Sequence, residues 1–345
     1  MRKKRILVYG CFGYFNNQLD GQTIKTRAIY DLLCERYDGK VSYCDSLEFG
    51  SNKKVMFKFL KELLNCSHLV FIGAGNSLRY VFPLVFILSK ILNFKITDVV
   101  VGGWLNEKLV KWPIHRWMFK HINGILTQNN QLAIDLEKEC GIFGAERMVN
   151  FREEVPYEPP VHEQGKLKLV YMARIHKMKG LDSIAALANY ISTRDLKNSV
   201  SIDFYGQIHE PDRNYFFNNL VDAYPFLHYK GHLEPNEIVE KLHKYDAMLL
   251  PTHYYTEGFP GSILDAYRSG LPVIVTKWKY AEEFVPDGKT GYIIPFENCE
   301  TRLCDVVEML SRNEDCLNSL KYNSYQESLK YTPTRAWETM EKYLR

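Results

Sequence analysis

Residues 256–276 read TEGFPGSILDAYRSGLPVIVT and point to the fold class more directly than any other stretch of the chain. An acid, Glu257, is followed by a loop of glycine and proline, and a second acid, Asp265, comes eight positions later. Small loop residues let backbone N–H groups approach a ligand. The pattern of residues 262–269 predicts a helix whose N-terminus faces the same ligand position as this loop. A buried strand is predicted to follow the helix.

The spacing of the two acids bears on their role. If the residues between them were helical, a rise of about 1.5 Å each would separate Glu257 and Asp265 by roughly 12 Å. A retaining glycosidase needs its carboxyl groups about 5 to 5.5 Å apart. We therefore expect the acids to hold opposite ends of one extended ligand. A helix-capping acid and an exposed helix acid are the alternative.

Short apolar runs alternate with helical patterns along the rest of the chain. The runs that predict buried strands are RILVYG, HLVFIG, TDVVVGG, GILTQ, LKLVYMA, SVSIDFYG, DAMLLP and PVIVT. Strands of this kind separated by helices are typical of parallel sheets with crossover helices. We predict an α/β fold in which ligands bind beyond the carboxyl ends of the strands.

The length of 345 residues suits two domains of about 150 residues each. Residues 152–166, REEVPYEPPVHEQGK, contain three prolines and clustered charge without periodicity, as interdomain linkers do. We predict an N-terminal domain over 1–155 and a C-terminal domain over 156–330. A helix that begins near Pro333 is expected over 331–345, packed back on the N-terminal domain.

The strand LKLVYMA is followed by RIHKMKG, in which Arg174 and Lys179 precede Gly180 and a predicted helix. Two cations beside a helix N-terminus suit a phosphate group, because the free amides and the helix dipole add to their charge. Two solvated surface cations are the alternative interpretation.

Composition limits the class of protein. The eight cysteines are scattered without a CxxC pair, which favours reduced thiols in a cytosolic protein over disulfides or a zinc site. The N-terminus lacks the apolar region of a secretory signal peptide. The apolar run over 80–88 is shorter than the roughly 20 residues of a membrane-spanning helix.

Charge is distributed unevenly. Residues 1–121 hold 19 Lys and Arg against 9 Asp and Glu, a net charge of +10, whereas residues 122–345 carry 25 against 32, a net charge of −7. Within the basic half, residues 104–121 interleave tryptophans with cations, which suits an anionic bilayer surface. Aromatics packed inside with solvated cations fit equally well, and no motif for binding nucleic acid accompanies the charge.

The C-terminal half resembles retaining GT-B glycosyltransferases of family four, the E-x7-E type. The resemblance covers about 165–295 and rests on LVYMARIHKMKGLDSI, FYGQ, LHYKGHLEPNEIVEKLHKYDAMLLPTHYYTEGFP, the opening stretch and EEFVPDGKTGYIIP. It implies two Rossmann-like domains facing each other across a cleft, with a nucleotide diphosphate sugar as donor.

The resemblance also implies roles for individual residues. Arg174 and Lys179 would neutralise the donor diphosphate, and Glu257 would contact the transferred sugar. Asp265 stands where the family has a second Glu that holds the ribose, and it is one methylene shorter. The remaining donor-binding residues would be Gly206, Gly258, Phe259, Pro260, Gly261 and Ser262. A D-x-D motif that would suit a divalent metal is missing from the sequence, so we expect neither metal nor cofactor.

The N-terminal half matches less closely. YGCFGYFNNQLDGQTIKTRAIYDLL resembles the family's first strand, loop and helix, which would put Gly21 and Gln22 near the donor phosphates; a simple turn is the alternative. Many members have a histidine after a middle strand, where this chain has Gly102 and Gly103. His176 and His253 are substitutes to consider.

We therefore expect a cytoplasmic, peripherally membrane-associated enzyme that transfers a sugar to a hydroxyl of a lipid-linked, polysaccharide or other glycan acceptor. The alternatives are a related nucleotide-sugar hydrolase or epimerase, and a catalytically silent partner subunit. The donor base, the sugar and the acceptor are open at this point.

Overall fold

A computed structural model describes residues 4–15, 18, 20–50, 53–153, 161 and 165–344 of the chain. These residues form two compact units, a first unit of Met1–Arg152 with Pro333–Arg345 and a second unit of Glu153–Thr332. The boundary expected at 155/156 and most of the linker expected at 152–166 lie outside the described residues.

The first unit contains a six-stranded parallel sheet. Its strands are β1 (Arg5–Gly10), β2 (Lys40–Asp45), β3 (His68–Ile72), β4 (Lys95–Val99), β5 (Gly124–Thr127) and β6 (Glu146–Arg147). They lie in the order β2-β1-β3-β4-β5-β6, so that the most apolar strands are in the middle.

Helices connect these strands. They are α1 (Gly21–Arg36), α2 (Lys53–Asn65), α3 (Phe82–Leu92), α4 (Leu105–Lys111), α5 (Pro113–Phe119) and α6 (Asn130–Cys140). Asp20 caps the start of α1, and Asn129 caps α6. Gly141 ends α6 with a φ of 62°, a left-handed conformation that favours glycine.

The second unit contains another six-stranded parallel sheet. Its strands are β7 (Leu167–Met172), β8 (Val200–Tyr205), β9 (Leu227–Tyr229), β10 (Ala247–Leu250), β11 (Val273–Thr276) and β12 (Gly291–Ile294). Their order is β12-β11-β10-β7-β8-β9, which makes β7 and β10 neighbours. The loops after these two strands therefore leave the sheet side by side.

The second unit also contains helices, of which α10 and α12 contact the sheet. They are α7 (Leu181–Thr193), α8 (Arg213–Phe216), α9 (Ile238–Leu242), α10 (Gly261–Arg268), α11 (Ala281–Phe284), α12 (Glu300–Arg312) and α13 (Glu314–Ser328). The helix predicted over 262–269 is thus confirmed as α10, shifted by one residue. Two parallel sheets covered by helices confirm the α/β class.

The last helix, α14 (Pro333–Leu344), is part of the first unit. Its buried side chains Ala336 and Met340 join a core that contains Ile29 of α1. Among the described residues, no helix is both long and apolar enough to cross a bilayer.

Candidate functional site

A buried tyrosine holds the loop after β7 in place. The Tyr171 hydroxyl donates to the carbonyl oxygens of Arg174, at 3.1 Å, and Lys179, at 3.3 Å. Burial, with the nearby charge of Glu257, raises the pKa of Tyr171 well above its ordinary value, so the hydroxyl stays protonated. One side chain thus holds both ends of the predicted cationic loop.

A glycine brings this loop against the loop after β10. Gly180 has a φ of 93°, and a Cβ there would lie 2.1 Å from the carbonyl oxygen of Pro251. The backbone N–H of His253 also donates to the carbonyl of Met178, at 2.8 Å. The approach of the two backbones is therefore possible only with glycine at position 180.

This contact pairs two of the predicted catalytic residues. Lys179 Nζ lies 2.5 Å from Glu257 Oε2, and each side chain is 19% exposed. Thr252 Oγ1 lies 3.4 Å from the same carboxylate oxygen, and the Tyr254 ring is 5.0 Å from Lys179 Nζ. Because both side chains are mostly buried, salt screens their attraction only weakly. Arg174 is exposed on the same loop.

The residues after Glu257 form the start of α10. Pro260 is the N-cap residue, and no side chain caps this helix among the described residues. The amides of Gly261 and Ser262 at this N-terminus are therefore suited to an anion. Helix α7 begins in the same manner at Gly180, without a side-chain cap in the described part of the chain.

Gly258 and Phe259, both predicted donor contacts, are buried in this loop. The Phe259 ring stacks on Phe284, with centroids 4.2 Å apart and planes at 5°, and lies 4.9 Å from Tyr331. The Phe259 side chain therefore anchors the loop to the core, which leaves its backbone to face a ligand.

Asp265 is more buried than its expected role in binding ribose suggests. It is only 4% exposed, and Oδ1 lies 3.8 Å from Nη1 of Arg268 on the next turn of α10. Glu257 to Pro260 are not helical, so the helical spacing of about 12 Å does not apply to the two acids. Its contact with ribose stays a prediction.

Gly206, another predicted donor residue, has a structural reason to be glycine. Its φ is 147°, and a Cβ would lie 1.8 Å from the carbonyl oxygen of Ala173. Its N–H donates to Gly231, at 2.8 Å. The loops after β7 and β8 therefore approach each other closely, as the loops after β7 and β10 do.

In the first unit, Gly21 and Gln22 form the first turn of α1. The Asp20 carboxylate accepts from the amides of Gln22, at 3.0 Å, and Thr23, at 2.9 Å. A carboxylate therefore already occupies the amides that a phosphate would use. The donor contact of Gly21 and Gln22 remains a prediction.

The sequence interpretation missed a buried lysine and a buried aspartate near Gly102 and Gly103, where the family's histidine was expected. Lys25 of α1 and Asp98 of β4 are both buried, and Lys25 Nζ donates to the carbonyl of Val100 at 2.9 Å. Burial lowers the pKa of Lys25 to about 7 and raises that of Asp98 to about 8. The signal in the sequence that could have revealed this site is Asp98, an acid within the apolar run TDVVV.

A third group of polar residues joins His176 of the cationic loop to His209 and Asp212, which follow β8. His176, His209 and Asp212 have possible ligand atoms within 4.8 Å of one another and are the described residues that could hold a metal ion. However, His176 Nδ1 accepts from the Met178 amide at 2.9 Å, and Asp212 Oδ2 accepts from the Lys177 amide at 3.1 Å. These atoms already hold the loop in place.

Of the two histidines considered as substitutes, His176 thus caps its own loop, and burial lowers its pKa. His253 Nε2 lies 3.4 Å from Ser183 Oγ, and its ring is 6.2 Å from that of Phe296. Both belong to the second unit and to the loops that position Lys179 and Glu257.

The sequence that contains these loops matches a known protein family. Residues 157–327, which contain the cationic loop and both acids, match the family described as glycosyl transferases group 1. The match covers 171 of the 345 residues, just under half of the chain, and falls within the second unit. The predicted recognition as a glycosyltransferase of this group is therefore confirmed.

Two curated relatives illustrate the family's range. This chain is 24% identical over 198 residues to glycogen synthase of Mycobacterium tuberculosis, covering 55% of this chain and 46% of that protein. It is 30% identical over 105 residues to the N,N'-diacetylbacillosaminyl-diphospho-undecaprenol alpha-1,3-N-acetylgalactosaminyltransferase of Campylobacter jejuni, covering 30% and 27%. The match spans less than half the length of either relative.

Solved structures agree on the fold. HepE from Anabaena, in complex with UDP-glucose, is 12% identical with a TM-score of 0.74, covering 99% of both chains. The pneumococcal O-GlcNAc transferase GtfA, in complex with UDP and GlcNAc, is 17% identical with a TM-score of 0.64, covering 84% of this chain and 59% of that one. The predicted GT-B fold class with two Rossmann-like domains is confirmed.

Proposed function

We propose that this group 1 glycosyltransferase moves a sugar from a nucleotide diphosphate sugar to a hydroxyl of a lipid-linked, polysaccharide or other glycan acceptor, with retention of the anomeric configuration. The observation that carries the proposal is the pair of Lys179 and Glu257, held on neighbouring loops beside the uncapped start of α10.

The cationic loop suits the departing diphosphate. Negative charge develops on this group as the bond from the sugar's anomeric carbon to the phosphate oxygen breaks. Lys179 and Arg174 supply fixed positive charge, and the amides of Gly261 and Ser262 add N–H donors. We propose that these groups stabilise the leaving diphosphate without a metal ion.

Glu257 suits the transferred sugar. In the free protein its carboxylate is bound to Lys179, so the pair holds both side chains ready before the donor arrives. When the diphosphate takes up the lysine, the carboxylate can accept from a sugar hydroxyl. The acceptor oxygen then attacks on the face from which the diphosphate leaves, and its proton passes to the departing phosphate oxygen.

The proposed setting is the cytoplasm. All eight cysteines are free, and the buried thiols of Cys44 and Cys304 have pKa values raised by burial, to about 12 and about 11. Unpaired cysteines suit a reducing compartment.

A thermal-shift screen tests the donor. The purified protein is heated with UDP, GDP, ADP and their sugars, and a ligand that binds the folded state raises the melting temperature. We expect one nucleotide series to stabilise the protein more than the others. The absence of any shift would contradict the proposal.

Turnover of the selected donor then tests the reaction class. A transferase consumes donor in proportion to the added acceptor and forms a product with retained configuration. Donor consumption without acceptor would identify a hydrolase or an epimerase instead. Tight donor binding without turnover, across glycan and lipid-linked acceptors, would identify a catalytically silent subunit.

A further inference from the structure

Helix α3 in the first unit is apolar on two opposite sides. Phe82, Val85 and Phe86 are buried against the sheet. Leu84, Ile87 and Ile91 lie on the other side at spacings of three and four residues, and each is more than half exposed. A helix of a globular protein ordinarily presents polar residues on its outer face. The outer face of α3 therefore needs an explanation.

Helix α5 continues this apolar face. The ring centroids of Phe86 and Trp117 are 5.5 Å apart, and those of Phe82 and Phe119 are 4.5 Å apart. While Phe119 is buried, Trp117 is more than half exposed. Trp117 therefore borders the exposed stripe of α3. The exposed apolar residues of this surface are Tyr80, Leu84, Ile87, Ile91, Ile114 and Trp117.

Helix α2 extends the exposed apolar surface formed by α3 and α5. Phe59 of α2 lies 5.2 Å from Tyr9, Tyr9 stacks on Phe71 of β3, and Phe71 is 5.3 Å from Phe82 of α3. Both helices thus rest on one layer of aromatic rings. The outer side of α2 exposes Met56, Phe57, Leu60 and Leu64.

Most of the exposed charges around this surface are positive. Over residues 76–121 the exposed cations are Arg79, Lys90, Lys95, Lys108, Lys111 and Lys120. Of the two acids in that range, Asp98 is buried and Glu107 is exposed. Exposed cations that outnumber exposed acids six to one complement an anionic partner.

We infer that the outer face of α2, α3 and α5 binds the surface of an anionic lipid bilayer. Apolar and aromatic side chains enter the headgroup region while the lysines and arginines around them contact lipid phosphates. The segment expected from sequence, 104–121, supplies only the α5 side of this surface. The central stripe is α3, whose apolar run is too short to span a membrane.

Vesicle flotation tests the inference. The full chain is mixed with vesicles of phosphatidylcholine alone or of phosphatidylcholine and phosphatidylglycerol in equal amounts. We expect flotation with the anionic vesicles only, and weaker flotation at high salt because the charges are exposed. Equal flotation with both vesicles, or none with either, would overturn the inference.

Two variants locate the binding surface. Ile87→Glu with Ile91→Glu removes the apolar stripe, and Lys90→Gln with Lys111→Gln removes two cations. Each is expected to weaken binding to anionic vesicles about tenfold or more. Tyr322→Glu, which changes an exposed aromatic residue of α13 in the second unit, is the matched control and should bind as the unchanged chain does.

Circular dichroism and melting curves establish that each variant is folded, and light scattering measures the oligomeric state. A dimer that Ile87→Glu with Ile91→Glu dissociates, without flotation of the unchanged chain, would assign the surface to a second copy and overturn the inference. Loss of binding in the control would do the same. Donor binding is measured separately, so failure here leaves the proposed transferase activity standing.

Discussion

Lys179 and Glu257 are separated by 78 positions in the chain, yet Nζ of the lysine lies 2.5 Å from Oε2 of the glutamate. The sequence suggests a role for each residue separately, one toward phosphate and one toward sugar. The structure shows that the two side chains are coupled, because the lysine that would bind the diphosphate also holds the carboxylate that would bind the sugar.

The first prediction concerns this coupling. Lys179→Ala and Glu257→Gln are each expected to lower kcat by about 10²- to 10³-fold, the usual effect of removing one preorganised charge from a transition state. The measurement is initial-rate donor turnover with a saturating acceptor, on variants whose melting curves show an intact fold.

Lys177→Ala is the matched control for Lys179→Ala. Lys177 stands on the same loop, but its Nζ lies over the Tyr215 ring, at 4.0 Å from the ring centroid. We expect this control to keep most of the activity. A control that loses as much activity as Lys179→Ala would show that only the total charge of the loop matters.

The second prediction concerns the glycine between the two loops. Gly180→Ala would place a Cβ 2.1 Å from the Pro251 carbonyl oxygen, on a backbone with a φ of 93°. Gly231→Ala is a suitable comparison, since its φ is 88° and a Cβ there would have no neighbouring atom within 4 Å. Urea unfolding should show a loss of about 1 kcal/mol for Gly231→Ala from strain, and a clearly larger loss for Gly180→Ala. Equal losses would mean that the loops are not in contact in solution.

The strand assignments show what the sequence does and does not specify. All eight strands predicted from apolar runs are interior strands of the two sheets. The four strands that the patterns did not indicate are β2, β6, β9 and β12, which are the sheet edges. Edge strands bury fewer side chains, and three of these four are only two to four residues long, so they leave little periodic signal.

The site was predictable to the level of loops. The positions of Arg174, Lys179 and Glu257 at strand ends follow from the parallel sheet. Their pairing does not, because it depends on the order of β7 and β10 and on the backbone contact at Gly180. The burial of Asp265 depends likewise on which side of α10 faces the core.

The third prediction tests Asp265. If its carboxylate binds the ribose, Asp265→Asn should weaken binding of the selected nucleotide by about tenfold, because the ribose hydroxyls lose a charged acceptor. The unchanged chain should also discriminate against the deoxyribose form of that nucleotide, and the variant should not. Calorimetric titration measures both affinities. Undiminished discrimination in Asp265→Asn would show that another group reads the ribose.

The fourth prediction concerns the buried Asp98. Burial raises its pKa from 3.8 to about 8, so between these pH values the folded chain binds a proton that the unfolded chain has released. Stability contributed at this position therefore decreases as the pH rises from about 4 to about 8. Asp98→Asn cannot titrate and removes this decrease.

Urea unfolding of both proteins at several pH values between about 4 and 7 measures the effect, below the pH of about 7 at which the neighbouring Lys25 titrates in the folded chain. The stability of Asp98→Asn relative to the unchanged chain should increase steadily with pH. A difference that is independent of pH would show that Asp98 is ionised in the folded state and that its burial is relieved in solution.

The central claim is that the loops carrying Lys179 and Glu257 bind the diphosphate of a nucleotide sugar. Calorimetric titration of the nucleoside diphosphate selected by thermal shift, into the unchanged chain and into Lys179→Ala, tests it most directly. We expect saturable binding to the unchanged chain and at least about tenfold weaker binding to the variant, since a charged contact with phosphate is removed. Equal affinities for the two proteins would contradict it.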